Sequence, residues 1–243
     1  ASHAELAAAA LHAGKHVFVE KPPGLSAAEL DELRAAQQAG GGVLATGFNR
    51  RHAPLARRLR DHVAGRGQPV ELLLRVNAGR LPAGHWLNDL DDGGGRLLGE
   101  GCHFVDLACW VAGALPERVE CVMGAGPGQP LAAAQTFAVS LGFADGSVAT
   151  ILYGAGGASG LGKEYVEAHA GGRSAVLDDF KSLELVTGRK RETHKGRGKD
   201  KGHRAQFHHL RARIEGRAAP EGPDALDTMA VTLAALAAAR GER

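Results

Sequence analysis

The run HVFVE, residues 16–20, is apolar between its two end residues and has no polar face. A strand like that must be covered on both sides, which in a water-soluble protein means a parallel strand inside an α/β sheet. Lys21 follows, and then Pro22 and Pro23 remove two backbone donors and fix φ, so regular pairing has to stop there. The flanking sequence agrees. AELAAAALHA (4–13) is built from strong helix formers and ends at Gly14. Ser26, with Glu29 three residues on, forms a capping box for a helix reaching about Ala39, and VLATGFN (43–49) reads as the next strand. Helix, strand, helix, strand with short loops is the pattern of a doubly wound α/β unit.

Beyond Asn49 the pattern changes. A basic amphipathic helix (about 54–64) leads to a strand, VELLLRVNAG (70–79), then a Gly- and Asp-rich loop from Gly84 to Gly95 and a helix over about 96–111. Alternating segments follow at 117–123, 134–143, 147–153, 164–170, 174–178 and 183–186. Asp145-Gly146 between two of them predicts a two-residue hairpin turn, so this half reads as α+β with an antiparallel sheet. GRKRETHKGRGKDKGHR (188–204) reads as a polar loop, and two helices, about 203–216 and 224–240, complete the chain. The expected division is 1–50 and 51–243, with the last helices able to pack back on the first part.

Composition narrows the function classes. Apolar residues make up 44% of the 243, which supports a real core, and 29 basic against 27 acidic residues leave a net charge of only +2. That balance gives no case for nucleic acid or an anionic membrane as a partner, and the basic stretch Arg189–Arg204 lacks the aromatics that would stack on bases. No apolar run is long enough to span a bilayer. Cys102, Cys109 and Cys121 show neither zinc-ligand spacing nor an even count, so no metal site or disulfide framework is read, and a reducing cytoplasm fits.

The lysine is the first candidate site residue. Ligands of open parallel sheets bind beyond the carboxyl ends of the strands, where Lys21 sits on a stem pinned by two prolines. A held ammonium there can polarise a hydroxyl or carbonyl; the alternative is a loop lysine paired with Glu20. The second is GGGRLLGEGCHFVDL (93–107), in which Gly99, Glu100, His103 and Asp106 share one side of a helix. A histidine flanked by carboxylates at helical spacing suits a general base with an orienting partner; the alternatives are a histidine at a helix interface and, for Asp106, a buried structural group. His85 and Trp86 either line a pocket or pack. Arg50 and Arg51 face an anionic group or pair with Asp61.

AGKHVFVEKP, with HAELAAAAL before it and VLATGFNRRHAP after it, resembles the glucose–fructose oxidoreductase/inositol dehydrogenase/MocA family. The likeness continues through GHWLNDLDDGGGRLLGEGCHFVDLACWVAG and DDFKSLELV…KDKGHRAQF, and is nearest to the carboxyl-terminal part of the bi-domain oxidoreductases, which follow a zinc-type dehydrogenase module. The resemblance implies the remnant of a Rossmann domain followed by a domain with a mostly antiparallel open sheet and helices on one face. It implies NAD or NADP as cofactor of the intact protein, with Glu20, Lys21, Pro22, Asn49 and Arg50 toward it. It also implies a catalytic set of Lys21, His103, Glu100 and Asp106, and substrate contacts from Arg51, His85, Trp86, Lys201 and His203. The family pattern is Asp-x-x-x-His, and this chain has Gly99 at the aspartate position, so either Glu100 takes over or that role is absent.

No G-x-G-x-x-G occurs in the 243 residues; GAGPG (124–128) and GAGGASGLG (154–162) follow antiparallel strands with no helix behind them. Since the chain also opens at Ala1 inside a helical pattern, it is expected to be a fragment of a nicotinamide-dependent oxidoreductase, inactive alone. Its substrate would be a sugar, nucleotide sugar or cyclitol, and it would self-associate through the open sheet. The alternative is a non-catalytic dehydrogenase-like binding or dimerisation module. Everything rests on Lys21 and His103 converging on one cleft.

Overall fold

The computed structural model describes residues 2–64, 67–82, 84–88, 93–126, 129–196 and 198–242. The acidic part of the glycine-rich loop (89–92) and the last two residues of GAGPG therefore lie outside the described residues.

Helix α1 (His3–His12) precedes strand β1 (Val17–Val19), helix α2 (Ala27–Gly40) and strand β2 (Leu44–Thr46). β1 and β2 pair in parallel, Val17 against Leu44 and Val19 against Thr46, as the two-sided apolar run demands. Ser26 caps α2 by accepting from the Glu29 amide at 3.2 Å. The Glu29 carboxylate takes the Leu25 amide instead of the cap residue's own, one residue back from the expected box. A 3₁₀ turn, Asn49–His52, then enters α3 (Pro54–Val63), whose first helical residue is proline, where no amide partner is needed.

The large sheet contains β3 (Glu71–Asn77), β4 (Arg118–Met123), β5 (Phe137–Gly142), β6 (Val148–Gly154), β7 (Glu164–Ala170), β8 (Arg173–Asp178), β9 (Ser182–Thr187) and β10 (Lys190–Lys195), in the order β10-β9-β8-β7-β3-β6-β5-β4. Helix α4 (Cys102–Ala112) crosses its inner face, and α5 (His203–Ile214) and α6 (Ala225–Arg240) close the chain. Strand alternation explains the one-sided core. In β3, Leu72, Leu74 and Val76 are buried while Glu71 and Leu73 face outward. The covered face meets α3, α4 and α6, and α4 is buried from Cys102 to Val111. The opposite face carries the exposed side chains of Leu73, Val122, Val148 and Leu152. α5 and α6 reach the β1–β2 unit, through a Phe18–Phe207 ring contact at 4.6 Å and an Arg34–Asp227 ion pair at 2.7 Å.

The sheet is mostly antiparallel, as expected, with β3 and β6 its one parallel pair among the described residues. Three expectations change. The β5–β6 loop is Ala144, Asp145 and Gly146, because the Phe143 amide bonds Ser147 O at 3.0 Å; Gly146, at φ +88°, supplies the left-handed residue of a bulged turn. Residues 190–195 are a strand, not a loop. As the sheet's edge strand β10 needs no apolar face, and its charged side chains discourage further pairing. Finally, the helix read from about residue 96 opens with a π-turn over Leu97–Gly101 before α4 begins.

Candidate active site

Each element contributes at one end. The carboxyl end of β1 delivers Lys21, whose Nζ donates to the Gly99 carbonyl at 2.7 Å, inside the π-turn. π-turns displace backbone groups from the regular helical ladder and occur often at functional sites. His103 lies on the next turn, 8% exposed, edge-on to Phe48 at 5.9 Å. Burial holds its pKa well below the usual value, and the charges of Arg50, Lys21, Lys201 and Lys163 act in the same direction. The imidazole is therefore neutral, and its buried Nδ1 has no hydrogen-bond partner. The charge of Lys21 reaches this ring from a separate part of the fold, but His103 is not among the residues that line the cleft bordered by Lys21.

The carboxylates do not orient that ring. Glu100 accepts from Tyr153 Oη and from Arg96 Nη1 (3.1 Å), with Lys163 Nζ at 3.7 Å. Burial opposes its ionisation, but Tyr153, Lys163 and Arg96 outweigh this and hold its pKa below the ordinary range. Asp106, fully buried, receives Arg51 in a two-point contact, Nε to Oδ2 at 2.6 Å, and Thr228 Oγ1 at 2.7 Å. Of the two roles open to Asp106, the structure gives it the buried structural one. Arg51 is corrected with it: besides Asp106 it donates to Pro223 O at 2.8 Å, so it ties the 3₁₀ turn to α4 and to the start of α6 instead of facing a substrate.

Arg50 points the other way. It makes a two-point contact with Glu164, at 2.7 and 2.8 Å, and lies 4.9 Å over the Phe104 ring. Lys201 pairs with the same carboxylate, and the Lys201 carbonyl accepts from Asn49 Nδ2 at 2.8 Å. Glu20 is exposed beside Gly47, where a Cβ would come within 3.0 Å of Oε2. Lys21, Pro22, Trp86 and Gly93 share a cleft of about 130 Å³ with His3 and Gly24. Trp86 is 62% exposed, lines this cleft and stacks on His85 at 5.7 Å, while His85 itself is not among the lining residues. His203 opens α5 exposed to solvent.

Gly99 is a steric requirement. A Cβ there would overlap Leu87 Cδ1 and come within 2.8 Å of the Gly93 carbonyl oxygen. An aspartate cannot stand at this position on this backbone, and the Gly99 main-chain carbonyl meets Lys21 there instead. Sequence reasoning missed Glu164, Tyr153, Arg96 and Lys163. Three of the four lie at the ends of β6 and β7, and only the sheet order shows that those ends meet the π-turn.

Two family models match this chain. Residues 1–48 match the oxidoreductase family with an NAD-binding Rossmann fold, and residues 55–166 match the GFO/IDH/MocA C-terminal domain. A curated relative, myo-inositol 2-dehydrogenase of Thermotoga maritima, is 34% identical over 118 residues, which is 49% of this chain and 35% of that protein. The chain thus spans about a third of that relative's length. Among solved structures, UDP-N-acetylglucosamine 3-dehydrogenase from Acidithiobacillus ferrooxidans superposes with a TM-score of 0.79 at 24% identity, covering 99% of this chain and 75% of that one. Levoglucosan dehydrogenase, solved with NADH and levoglucosan, gives 0.80 at 20% identity, covering 99% and 76%. At these identities the two structures establish a shared fold. No helix among the described residues is long and apolar enough to cross a membrane.

Proposed function

Because the chain belongs to the GFO/IDH/MocA oxidoreductases, we propose that it supplies the substrate lobe and the reacting edge of a nicotinamide-dependent enzyme. That enzyme would oxidise or reduce a carbinol carbon of a sugar-type substrate. The observation that carries the reading is the Lys21–Gly99 hydrogen bond of 2.7 Å, which brings the end of a parallel strand onto the turn before a neutral, buried histidine.

The residues present fit one end of a dinucleotide. Lys21, Pro22 and Gly24 border an open cleft beyond the carboxyl end of β1, the side of a parallel sheet on which cofactors lie. The G-x-G-x-x-G turn between a strand and a helix, which would grip a pyrophosphate, does not occur in the 243-residue sequence. The cofactor, when bound, supplies the hydride acceptor or donor. Lys21 holds and polarises the reacting oxygen, giving up the Gly99 carbonyl or sharing its ammonium with it. His103 accepts the hydroxyl proton on oxidation and returns it on reduction, and its neutrality is the form that can accept. Glu100 acts at one remove, since Tyr153 and Arg96 fix it within reach of the charge of Lys21. The open face bearing Leu73, Leu152 and Val148 suits a second copy of the chain.

The test is Lys21→Met in the enzyme expressed from its complete coding sequence. Turnover on a panel of sugars and cyclitols should fall by a factor of about 10² or more, with the circular dichroism unchanged. Near-normal turnover would remove Lys21 from the reaction. The second reading, a module without redox activity, has Gly99 in its favour, and no turnover by the unaltered enzyme on any member of the panel would select it.

A further inference from the structure

The glycine-rich segment 154–162 has no place in the reaction above, yet it borders a cavity that Lys163 connects to Glu100. Beyond the ends of β3, β6 and β8 lies a cavity of about 390 Å³, lined by Lys163, Lys181, Lys199, Asp179, Asn77 and Ser159 among others. Asn77 fixes the segment by donating to the Ala158 carbonyl at 2.8 Å, and a Cβ at Gly157 would overlap the Asn77 side chain.

The charges in this lining are unbalanced. Asp179 is its single acid, and its side chain is only 5% exposed. It holds Lys199 at 2.6 Å and Lys181 at 3.2 Å, one on each oxygen, while those two lysines stay 36% and 63% exposed. Lys163, 39% exposed, leans on Glu100 at 3.7 Å, a carboxylate already engaged by Tyr153 and Arg96. Three lysines thus line one concavity, and the only carboxylate in its lining is spent in setting two of their ammonium groups side by side. Asp179 and Phe180 adopt left-handed backbone, φ +47° and +56°, a costly conformation for non-glycine residues that persists where the surroundings enforce it. The Asp179 amide donates to the Glu164 main-chain carbonyl at 2.6 Å, so the same short segment is tied to the backbone of the residue whose carboxylate holds Arg50 and Lys201.

A concave surplus of ammonium groups is the chemistry that recognises phosphate: each lysine offers three donors and a full charge, and a charge-assisted bond to a phosphate oxygen is roughly twice as strong as a neutral one. We propose that this cavity binds the phosphate or diphosphate of an anionic sugar-type substrate and seats its carbinol end beside Lys21 and His103. The proposal rests on the oxidoreductase reading for the identity of that other end, and on the cavity alone for the anion. Lys163 connects the two, lining the cavity while touching Glu100.

The test is calorimetric and needs no turnover. Inorganic pyrophosphate and uridine diphosphate are titrated into the chain, into Lys181→Gln/Lys199→Gln, and into Lys21→Met. The unaltered chain should bind saturably, the double variant at least about tenfold more weakly, and Lys21→Met as the unaltered chain does. Replacing both lysines removes the counter-charges of the nearly buried Asp179, so a melting curve checks that the double variant is folded, and Asp179→Asn/Lys181→Gln/Lys199→Gln, which leaves no orphaned carboxylate, should show the same loss of binding. Tighter binding of uridine diphosphate than of pyrophosphate assigns a nucleotide diphosphate, and equal binding a simple sugar phosphate; either supports the site. Absence of binding by both probes, or equal affinity of the double variant, overturns it. Lysine-dependent binding together with a redox-inactive complete enzyme leaves the anion site standing and fells the oxidoreductase reading.

Discussion

Asp106→Asn separates a structural from a catalytic role for that carboxylate. In the native protein Asp106 is completely buried and meets Arg51 at two points, with Thr228 donating to one of the same oxygens. The amide keeps the shape but leaves the Arg51 guanidinium buried without a counter-charge. Removing one member of a buried pair costs about 3–5 kcal/mol. Arg51 retains the carbonyls of Pro223 and Glu221 at 2.8 and 3.3 Å, which puts the expected loss near the lower bound. At about 3 kcal/mol, and about 2–4 °C per kcal/mol for a chain of this size, the melting temperature should fall by about 6–12 °C. The assay is a thermal melt followed by circular dichroism and by the fluorescence of buried Trp110. Replacing both partners, Arg51→Met with Asp106→Leu, should recover most of the loss, since no orphaned charge remains. A single variant that melts within about 2 °C of the native chain, yet lowers turnover in the complete enzyme, would refute the reasoning and return Asp106 to the catalytic set.

Two further outcomes follow from the same network. Burial opposes the ionisation of Glu164, but Arg50 and Lys201 override it, so the folded pKa lies below the ordinary value of 4.5. Its contribution is complete above about pH 4.5 and is lost as pH falls through the depressed native value; melting temperatures from pH 7 down to 3 should drop steeply in the native chain, and Glu164→Gln should be less stable at neutrality and flatter in acid, whereas parallel curves would contradict the assignment. Gly99→Asp, which restores the residue found in the family pattern, should destabilise by about 1–3 kcal/mol through overlap with Leu87 and the Gly93 carbonyl, and a denaturant midpoint equal to or above that of the native chain would show that the loop yields freely.

What the sequence made legible was whatever depends on local pattern. The two-sided apolar run ending at Lys21, the Ser26 cap, the proline entry to α3 and the alternation in β3 each carry their cause within a few residues. The β10 strand was not legible because edge pairing is a backbone matter: KRETHK has no apolar period, and only its register against β9 makes it a strand. Nor was the parallel pairing of β3 with β6, which joins segments about 75 residues apart through a crossover that no local spacing records. The π-turn is a departure in backbone hydrogen bonding inside a sequence that reads as ordinary helix.

Arg50 and Arg51 show why site residues resist such reading more than folds do. They are adjacent and chemically identical, and the sequence offered the same alternatives for both. In the 3₁₀ turn their side chains diverge, one to Glu164 at the start of β7 and the other to Asp106 in α4 and the carbonyls before α6. Arg50 thereby joins the cations that keep His103 neutral, while Arg51 joins the core. Both partners are buried carboxylates supplied from more than 50 residues away, so each arginine's role is set by where its counter-charge has been folded. The neutral histidine owes most to its burial, and that division adds to it, because a carboxylate left unspent beside the ring would stabilise the imidazolium and raise its pKa. Burial together with charges folded in from a distance, more than the local motif around His103, sets the form of that imidazole.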